Sequence, residues 1–433
     1  MSGELQGALA GVRVVELSDE RCAWAGKLLA DMGAEVVKVE PPGGDPVRGY
    51  EPFFEDVPGI ERSLAHWYDN TSKLGVTLDT LTGRGRELLG RLISNADIVL
   101  ESNRTVPDRA NGALRRENVT YEEYKDANPR LIWVSITPFG RSGPRADEPA
   151  TDLTLFAGSG PGWMNGYDDH SLPPVRGGGG QAYHTGGHYA VMSALVALLE
   201  RDVSGEGQFI DVNISAAANV TTEAGSYTWL VSQQTVQRQT GRHAAVAMSM
   251  PSQVVCADGR MVNTGVPPRR PAEFGRMYDW LVEANIVDEF PLAPLLEMGG
   301  QRASIDLGSI STDADVAAIF GAGRECVNFI ASKLGAYEFF TGAQARGFQV
   351  GIIYSPEETM EDPHFKERGF PVQVDHPELG RTFTYPGAPY RLTKSPWRIR
   401  RRAPLLGEDN ATVFGALGVS ATELAELQAA GVI

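Results

Sequence analysis

The sequence predicts an α/β protein: a doubly wound parallel sheet in a large domain, and a smaller α+β unit after it. Three observations predict this. Short β-branched runs alternate with helical patterns from residue 12 to 136, which is the signature of parallel strands covered by helices on both faces. With 433 residues and 42% apolar content, the chain is long enough for two domains or one elaborate one. Beyond residue 250 the pattern changes to a hairpin followed by helices.

The elements follow in order. VRVVEL at 12–17 reads as a buried strand, CAWAGKLLADMG at 22–33 as a helix closed by its glycine, and AEVVKVE at 34–40 as the next strand. LGVTLD at 74–79, the helix GRGRELLGRLISN, the strand ADIVLE at 96–101 and the strand RLIWVSI at 130–136 continue the alternation. A loop-rich stretch from 137 to 180 leads into a helix from about Gly186 to Glu200, and FIDVNI adds one more strand. The expected boundaries are a large domain over 1–215, a polar linker over 216–250, a small domain over 251–350 with a hairpin at Asp258-Gly259, and a return to the large domain over 351–433. The last helix, in SATELAELQAAGVI, carries a serine cap.

Charge narrows the partners. Thirty-nine basic against 55 acidic residues give a formal charge of −16, which repels nucleic acid and anionic membrane surfaces unless the basic residues cluster. Neither is expected as a partner. Cys22, Cys256 and Cys326 are too few and too scattered for a disulfide framework or a zinc site, so no metal is expected and a reducing cytoplasm fits. The first residues show no export signal, and nowhere do 18 apolar residues run together.

Open parallel sheets bind ligands beyond the carboxyl ends of their strands. The loops there carry Ser18-Asp19-Glu20-Arg21-Cys22, Gly43-Gly44-Asp45-Pro46-Val47-Arg48 and Glu101-Ser102-Asn103-Arg104. Lys38, Arg48, Lys73, Arg104 and Arg109 are expected near one rim, where cations in an acidic chain suit an anionic ligand; singly, each reads better as a solvated surface charge, and only their shared position makes the group significant. No G-x-G-x-x-G follows the first strand, and no GxxxxGK[ST], G-x-S-x-G or H-E-x-x-H occurs, which removes the usual dinucleotide, triphosphate, hydrolase and zinc-protease readings. The glycines at 177–180 read either as an anion-binding nest or as a flexible connector.

Several motifs together resemble the class III coenzyme A transferase (CaiB/BaiF) family. They are GVRVVELS at 11–18, LADMGAEVVKVE at 29–40 with Gly44-Asp45 and Arg48, NTSK at 70–73, ADIVLE, NPRLI at 128–132, FGRSGP at 139–144, Thr185-Gly186, GEGQ at 205–208, DPHF at 362–365 and RGF at 368–370. The resemblance implies a Rossmann-like large domain built from both chain ends, a smaller domain, and a homodimer of interlocked rings. It implies coenzyme A thioesters and carboxylates as substrates, with no tightly bound cofactor. Matching positions place Arg21, Cys22, Lys38, Lys73, Ser102, Asn103 and Arg109 around the coenzyme, with Arg104 beside them.

Transferases of that family attack the thioester with an aspartate three residues ahead of a Thr-Gly at a helix head. Counting back from Thr185 reaches Ala182, so the expected acid is absent. His184 stands as an acid-base candidate and Gln181, one residue away, as an oxyanion ligand, while His188, Tyr183, Asp168, Asp169 and Glu223 lie nearby in sequence. Related racemases carry Gly-His-Asp where this chain has Ala150-Thr151-Asp152, which disfavours racemization. Three functions remain in view: coenzyme A transfer, other acyl-CoA chemistry through His184, or a non-catalytic acyl-CoA-binding subunit. Trp163, Met164, Tyr227 and Trp229 are expected beside the acyl group or in plain core.

Overall fold

The computed structural model describes residues 6–102, 104–107, 114–265 and 267–433. Two compact units emerge: Met1–Asn165, Pro174–Gln233 and Met360–Ile433 form the larger, and Gly166–Pro173 with Gln234–Thr359 the smaller.

The larger unit is built on six strands, β1 (Arg13–Leu17), β2 (Glu35–Glu40), β3 (Leu74–Thr77), β4 (Ile98–Glu101), β5 (Ile132–Thr137) and β6 (Phe209–Asn213). Their spatial order is β3-β2-β1-β4-β5-β6 and every pairing is parallel. Strand order reverses between β1 and β4, and such a reversal opens a crevice beyond the carboxyl ends of those two strands. Four helices matter for the site: α1 (Ala23–Asp31), α2 (Gly83–Ser94), α3 (Asp152–Gly158) and α4 (Gln181–Ser204).

Side chains alternate along β1. Val14 joins a core with Leu29 of α1 and Ala190 and Ala194 of α4, while Val15 and Leu17 join a second core with Leu88 and Leu92 of α2. Both sheet faces are therefore covered, which is why the strands read as continuous apolar runs. Phe414 and Leu427 complete the second core, and the chain end is tied in by hydrogen bonds from Asp79 N–H to Val432 O at 2.7 Å and from Gly75 N–H to the Asp409 carboxylate at 2.8 Å.

Charges also lie inside. Glu16 at the end of β1 meets Lys73 Nζ at 2.8 Å and Lys38 Nζ at 3.4 Å, and Lys38 reaches Asp45 at 2.7 Å. Arg48 grips Glu40 with two bonds of 2.7 and 2.8 Å. Burial alone would raise the Glu16 carboxyl, but Lys73 and Lys38 outweigh it and hold it below its ordinary range. Gly26 of α1 sits directly on this pair: a Cβ there would collide with the Glu16 carboxylate, so only glycine lets the helix close over the charges.

The smaller unit pairs Gln253–Val255, Met261–Thr264 and Val350–Ile352 as an antiparallel sheet, with the expected turn at Asp258-Gly259. Its helices Pro271–Glu283, Ala293–Gln301, Ala314–Lys333 and Ala336–Ala345 enclose Phe274, Leu281, Cys326 and Phe339. The stretch 216–250, expected as a polar linker, instead carries helix Glu223–Ser232 and a hairpin of Gln237–Gln239 with Arg242–Ala245. That helix buries none of its residues, so its sequence shows no amphipathic stripe to betray it.

No helix among the described residues is long and apolar enough to cross a membrane, and no group of three or more His, Cys, Asp or Glu among them is placed to hold a metal ion. All three cysteines are buried and free.

The buried charges predict an acid limb in stability. Burial, then the Arg48 charge, pulls His66 from 6.5 down to about 3. Burial pushes the Glu40 carboxyl up, but Arg48 prevails and brings it to about 2. Both groups bind fewer protons folded than unfolded, so unfolding free energy is fully present above 6.5 and falls as pH drops towards 2. Urea titrations across this window are expected to show a steady loss, whose upper part disappears in His66→Gln.

Candidate functional site

The crevice between β1 and β4 is walled by the turn after β1, the residues after β4 and the head of α4. Asp19 N–H donates to Ser102 Oγ at 3.2 Å, which joins the first two walls across the switch point. Arg21 folds back on Asp19, with Nε donating to the carboxylate at 2.8 Å. Cys22 caps α1 and its side chain faces the apolar core; burial pushes its thiol well above the ordinary range, so it offers the crevice no nucleophile.

The expected open rim of cations is instead an internal lattice. Lys38 and Lys73 are fully buried and paired as described above. Arg104 is buried too, bonded to Glu117 at 2.8 Å and, through Nη1, to Ser18 O at 3.2 Å. These side chains do converge beneath the crevice, but each brings its own carboxylate, because an uncompensated buried charge is too costly to keep. Burial opposes the Lys38 charge, and Asp45 and Glu16 more than offset it, holding the ammonium above its ordinary range. Of the described members only Arg21 retains partial exposure. Asn103 and Arg109 lie outside the described residues.

The head of α4 is held by a carboxylate the sequence reading passed over. Asp152, the first residue of α3, accepts from Ala182 N–H at 2.8 Å and from Tyr183 N–H at 3.2 Å through Oδ1. Its Oδ2 receives Arg176 Nη1 at 2.8 Å, and Arg176 Nη2 donates to Gly179 O at 2.9 Å. Gly179 has φ +78°, so the glycine run serves as the bend that returns Arg176 to Asp152. Thr151 and Thr154 cap α3 locally, whereas Asp152 reaches 30 residues along the chain to α4, which no local pattern reveals.

Side-chain directions revise the reading of α4. Ala182 is 1% exposed and its methyl belongs to the sheet core. Gln181 is exposed at the first helical position. Tyr183, packed on the same core, places its hydroxyl under the charges of Glu20, Arg21 and Asp19; burial and then Glu20 raise its pKa. The α4 side chain turned towards the first loop is therefore that of residue 183. His184 packs its ring 4.6 Å from that of Trp24, and burial lowers its pKa against the pull of Asp152, so it is a neutral imidazole at pH 7. His188 Nε2 accepts from Trp24 Nε1 at 3.3 Å. Asp168 pairs with Arg242 at 2.7 Å and Asp169 accepts from Ser171 in a local turn, both in the smaller unit.

The sequence profile of CoA-transferase family III matches residues 9–283 and 305–410. The chain belongs to that family. It is 32% identical over 421 residues to the succinyl-CoA:(R)-benzylsuccinate CoA-transferase subunit BbsE of Thauera aromatica, covering 97% of each chain. Identity to the succinate–glutarate CoA-transferase of Agrobacterium fabrum is 29% over 414 residues, 94% of this chain and 95% of that one. A CAIB/BAIF family protein from Brucella suis superposes with a TM-score of 0.73 at 25% identity, covering 96% of this chain and all of the other. The family III assignment makes the protein a CoA-transferase, and its parallel sheet accords with the Brucella structure.

Two stability effects follow from this geometry. Asp152→Ala strands two backbone N–H groups and the Arg176 guanidinium, and is expected to cost about 2 kcal/mol in urea unfolding, with Asp152→Asn costing less. Ala182→Asp buries a charge in the core beside Asp152, with an expected loss of about 3 kcal/mol or more. Tyr183→Asp, nearer the crevice, is expected to be tolerated better in the same melts.

Proposed function

We propose that this family III chain binds an acyl-CoA in the β1/β4 crevice and takes part in moving coenzyme A from that thioester to a free carboxylate. The observation that carries the reading is the convergence, at the switch point of the sheet, of the Asp19–Ser102 contact with the head of α4. In this reading Arg21 and Ser102 line the coenzyme path, joined through the resemblance by Asn103 and Arg109. Lys38, Lys73 and Arg104 act from below by fixing the loop. The thioester carbon lies next to the start of α4, where residue 182 supplies an alanine and residue 183 a tyrosine.

Transfer through an enzyme carboxylate proceeds in balanced steps. The carboxylate oxygen attacks the thioester carbon and expels the thiolate, leaving a mixed anhydride; the thiolate then attacks the enzyme's acyl carbon and releases the donor acid. The acceptor acid repeats the sequence in reverse. His184, neutral and packed at a tilt against Trp24, suits shaping the acyl end better than carrying charge.

A second reading is favoured by one surface. Tyr189, Met192, Val196, Leu199 and Val203 of α4 recur at spacings of three and four residues and are 37%, 53%, 60%, 70% and 89% exposed. Such a stripe is a helix-packing seam without its partner. A second copy of this chain covers it in the homodimer reading, with interlocked subunits in the manner of the family. In the alternative, a related subunit bearing the acid covers it, as suits the Thauera relative, which is named as a subunit.

Calorimetric titration with succinyl-CoA, followed by exchange assays with glutarate and benzylsuccinate, tests the function. Saturable binding is expected. Absence of binding to succinyl-CoA, acetyl-CoA and free coenzyme A alike removes the proposal. Leu199→Asp is expected to dissociate whichever assembly forms, as read by light scattering after size exclusion; an unchanged mass shows that the seam is not an interface.

A further inference from the structure

If transfer needs a carboxylate and the head of α4 carries none facing the crevice, the opposite wall is the place to look. The turn after β1 runs Ser18-Asp19-Glu20-Arg21-Cys22. Ser18 is buried, with its hydroxyl on Glu16 at 2.6 Å. Asp19 is engaged four ways: its backbone N–H donates to Ser102, its carboxylate binds Arg21, and its carbonyl accepts from the N–H groups of Cys22 and Ala23. Cys22 faces the core. Glu20 alone in this turn combines a carboxylate with partial exposure, and its carboxylate accepts the Tyr50 hydroxyl.

It lies in the turn beyond the carboxyl end of β1, where the strand order of the sheet reverses. Glu20 is the foremost charge acting on two hydroxyls from separate elements, that of Tyr183 at the head of α4 and that of Tyr50 after β2, which burial and Glu20 together push up to about 12. The other carboxylates near the α4 head are committed: Asp152 to two backbone N–H groups and Arg176, Asp19 to Arg21.

We propose that Glu20 is the nucleophile of this chain, its carboxylate attacking the thioester carbon from the β1 side of the crevice and becoming the glutamyl-CoA thioester that carries coenzyme A between acids. The proposal rests on the transfer reading above and names the group that reading leaves open. Its balance is that of the two-step exchange: a Glu20 oxygen bonds the acyl carbon as the carbon–sulfur bond breaks, and the departing thiolate then bonds the Glu20 carbonyl carbon as the donor carboxylate leaves. No oxidant, metal or further reactant enters. The site favours this chemistry. Partial burial and the neighbouring Asp19 charge raise the proton affinity of Glu20, while Arg21 moderates it, and a more basic carboxylate is a better nucleophile once ionised. The Tyr50 and Tyr183 hydroxyls, held protonated, are placed to donate hydrogen bonds to the oxygens that change charge.

The test uses the full chain with succinyl-CoA, hydroxylamine as trap, and peptide mass spectrometry. The expected result is a hydroxamate on the peptide bearing residue 20, absent without thioester. Glu20→Gln is expected to lose trapping and exchange on the order of a thousandfold or more while binding succinyl-CoA within about threefold of the parent. Glu20→Asp, with the carboxylate set back by one methylene, is expected to keep a measurable fraction. A wild-type protein that binds succinyl-CoA yet yields neither hydroxamate nor exchange overturns Glu20 and leaves the transfer reading with its acid on a partner subunit. Exchange that survives in Glu20→Gln also overturns it. Failure to bind any coenzyme A thioester removes the transfer reading itself.

Discussion

One carboxylate fixes the geometry of the crevice. An α-helix begins with N–H groups that its own backbone cannot satisfy, and in α4 the first of these fall beside an apolar core where water is scarce. Asp152 supplies the acceptor, and Arg176 neutralises what Asp152 brings. Because Asp152 opens α3, the contact locks two helices at their heads and sets which way residues 182 to 184 point. The glycine run is part of the same device, since a side chain at Gly179 would resist the turn that lets Arg176 reach back. An acid placed by chain connectivity 30 residues upstream thus decides what the helix shows to the ligand.

A second constraint lies under the loop after β1. Glu16, Lys38, Lys73 and Asp45 are removed from water together, and none of them could be there alone. Paired, they hold β1, β2, the start of β3 and α1 in one arrangement, with Gly26 allowing the approach. The consequence for function is indirect. These cations bear on the crevice through the shape they impose on the Ser18–Cys22 turn, and their charge reaches it already compensated.

Taken with the family assignment, the two constraints give a family III chain whose α4 head carries a core methyl at residue 182 and a phenol at residue 183. With no acid at residues 181 to 184, attention turns either to the opposite wall, where Glu20 accepts the Tyr50 hydroxyl, or to a second chain across the apolar seam of α4. The physical difference between them is whether the carboxylate belongs to the same crevice as the turn after β1 or arrives with a partner.

Much of the fold was legible in the sequence. The strands of the sheet were apparent as β-branched runs, five of them because burial leaves little room for polar alternation and the half-exposed edge strand β6 from its own pattern, and the ordered motifs led to the family. The absence of an acid before Thr185 was equally plain. What the sequence could not reveal was direction and pairing. Counting from Thr185 singles out residue 182, but only packing determines that its methyl turns to the core while residue 183 looks towards Glu20. A lysine in a loop or strand looks the same on paper whether solvated or buried, and only the approach of Glu16 and Asp45 from distant positions made Lys38 and Lys73 internal. Periodicity is a local property of the chain, whereas the partners of a charge and the facing of a helix head depend on contacts between segments tens of residues apart.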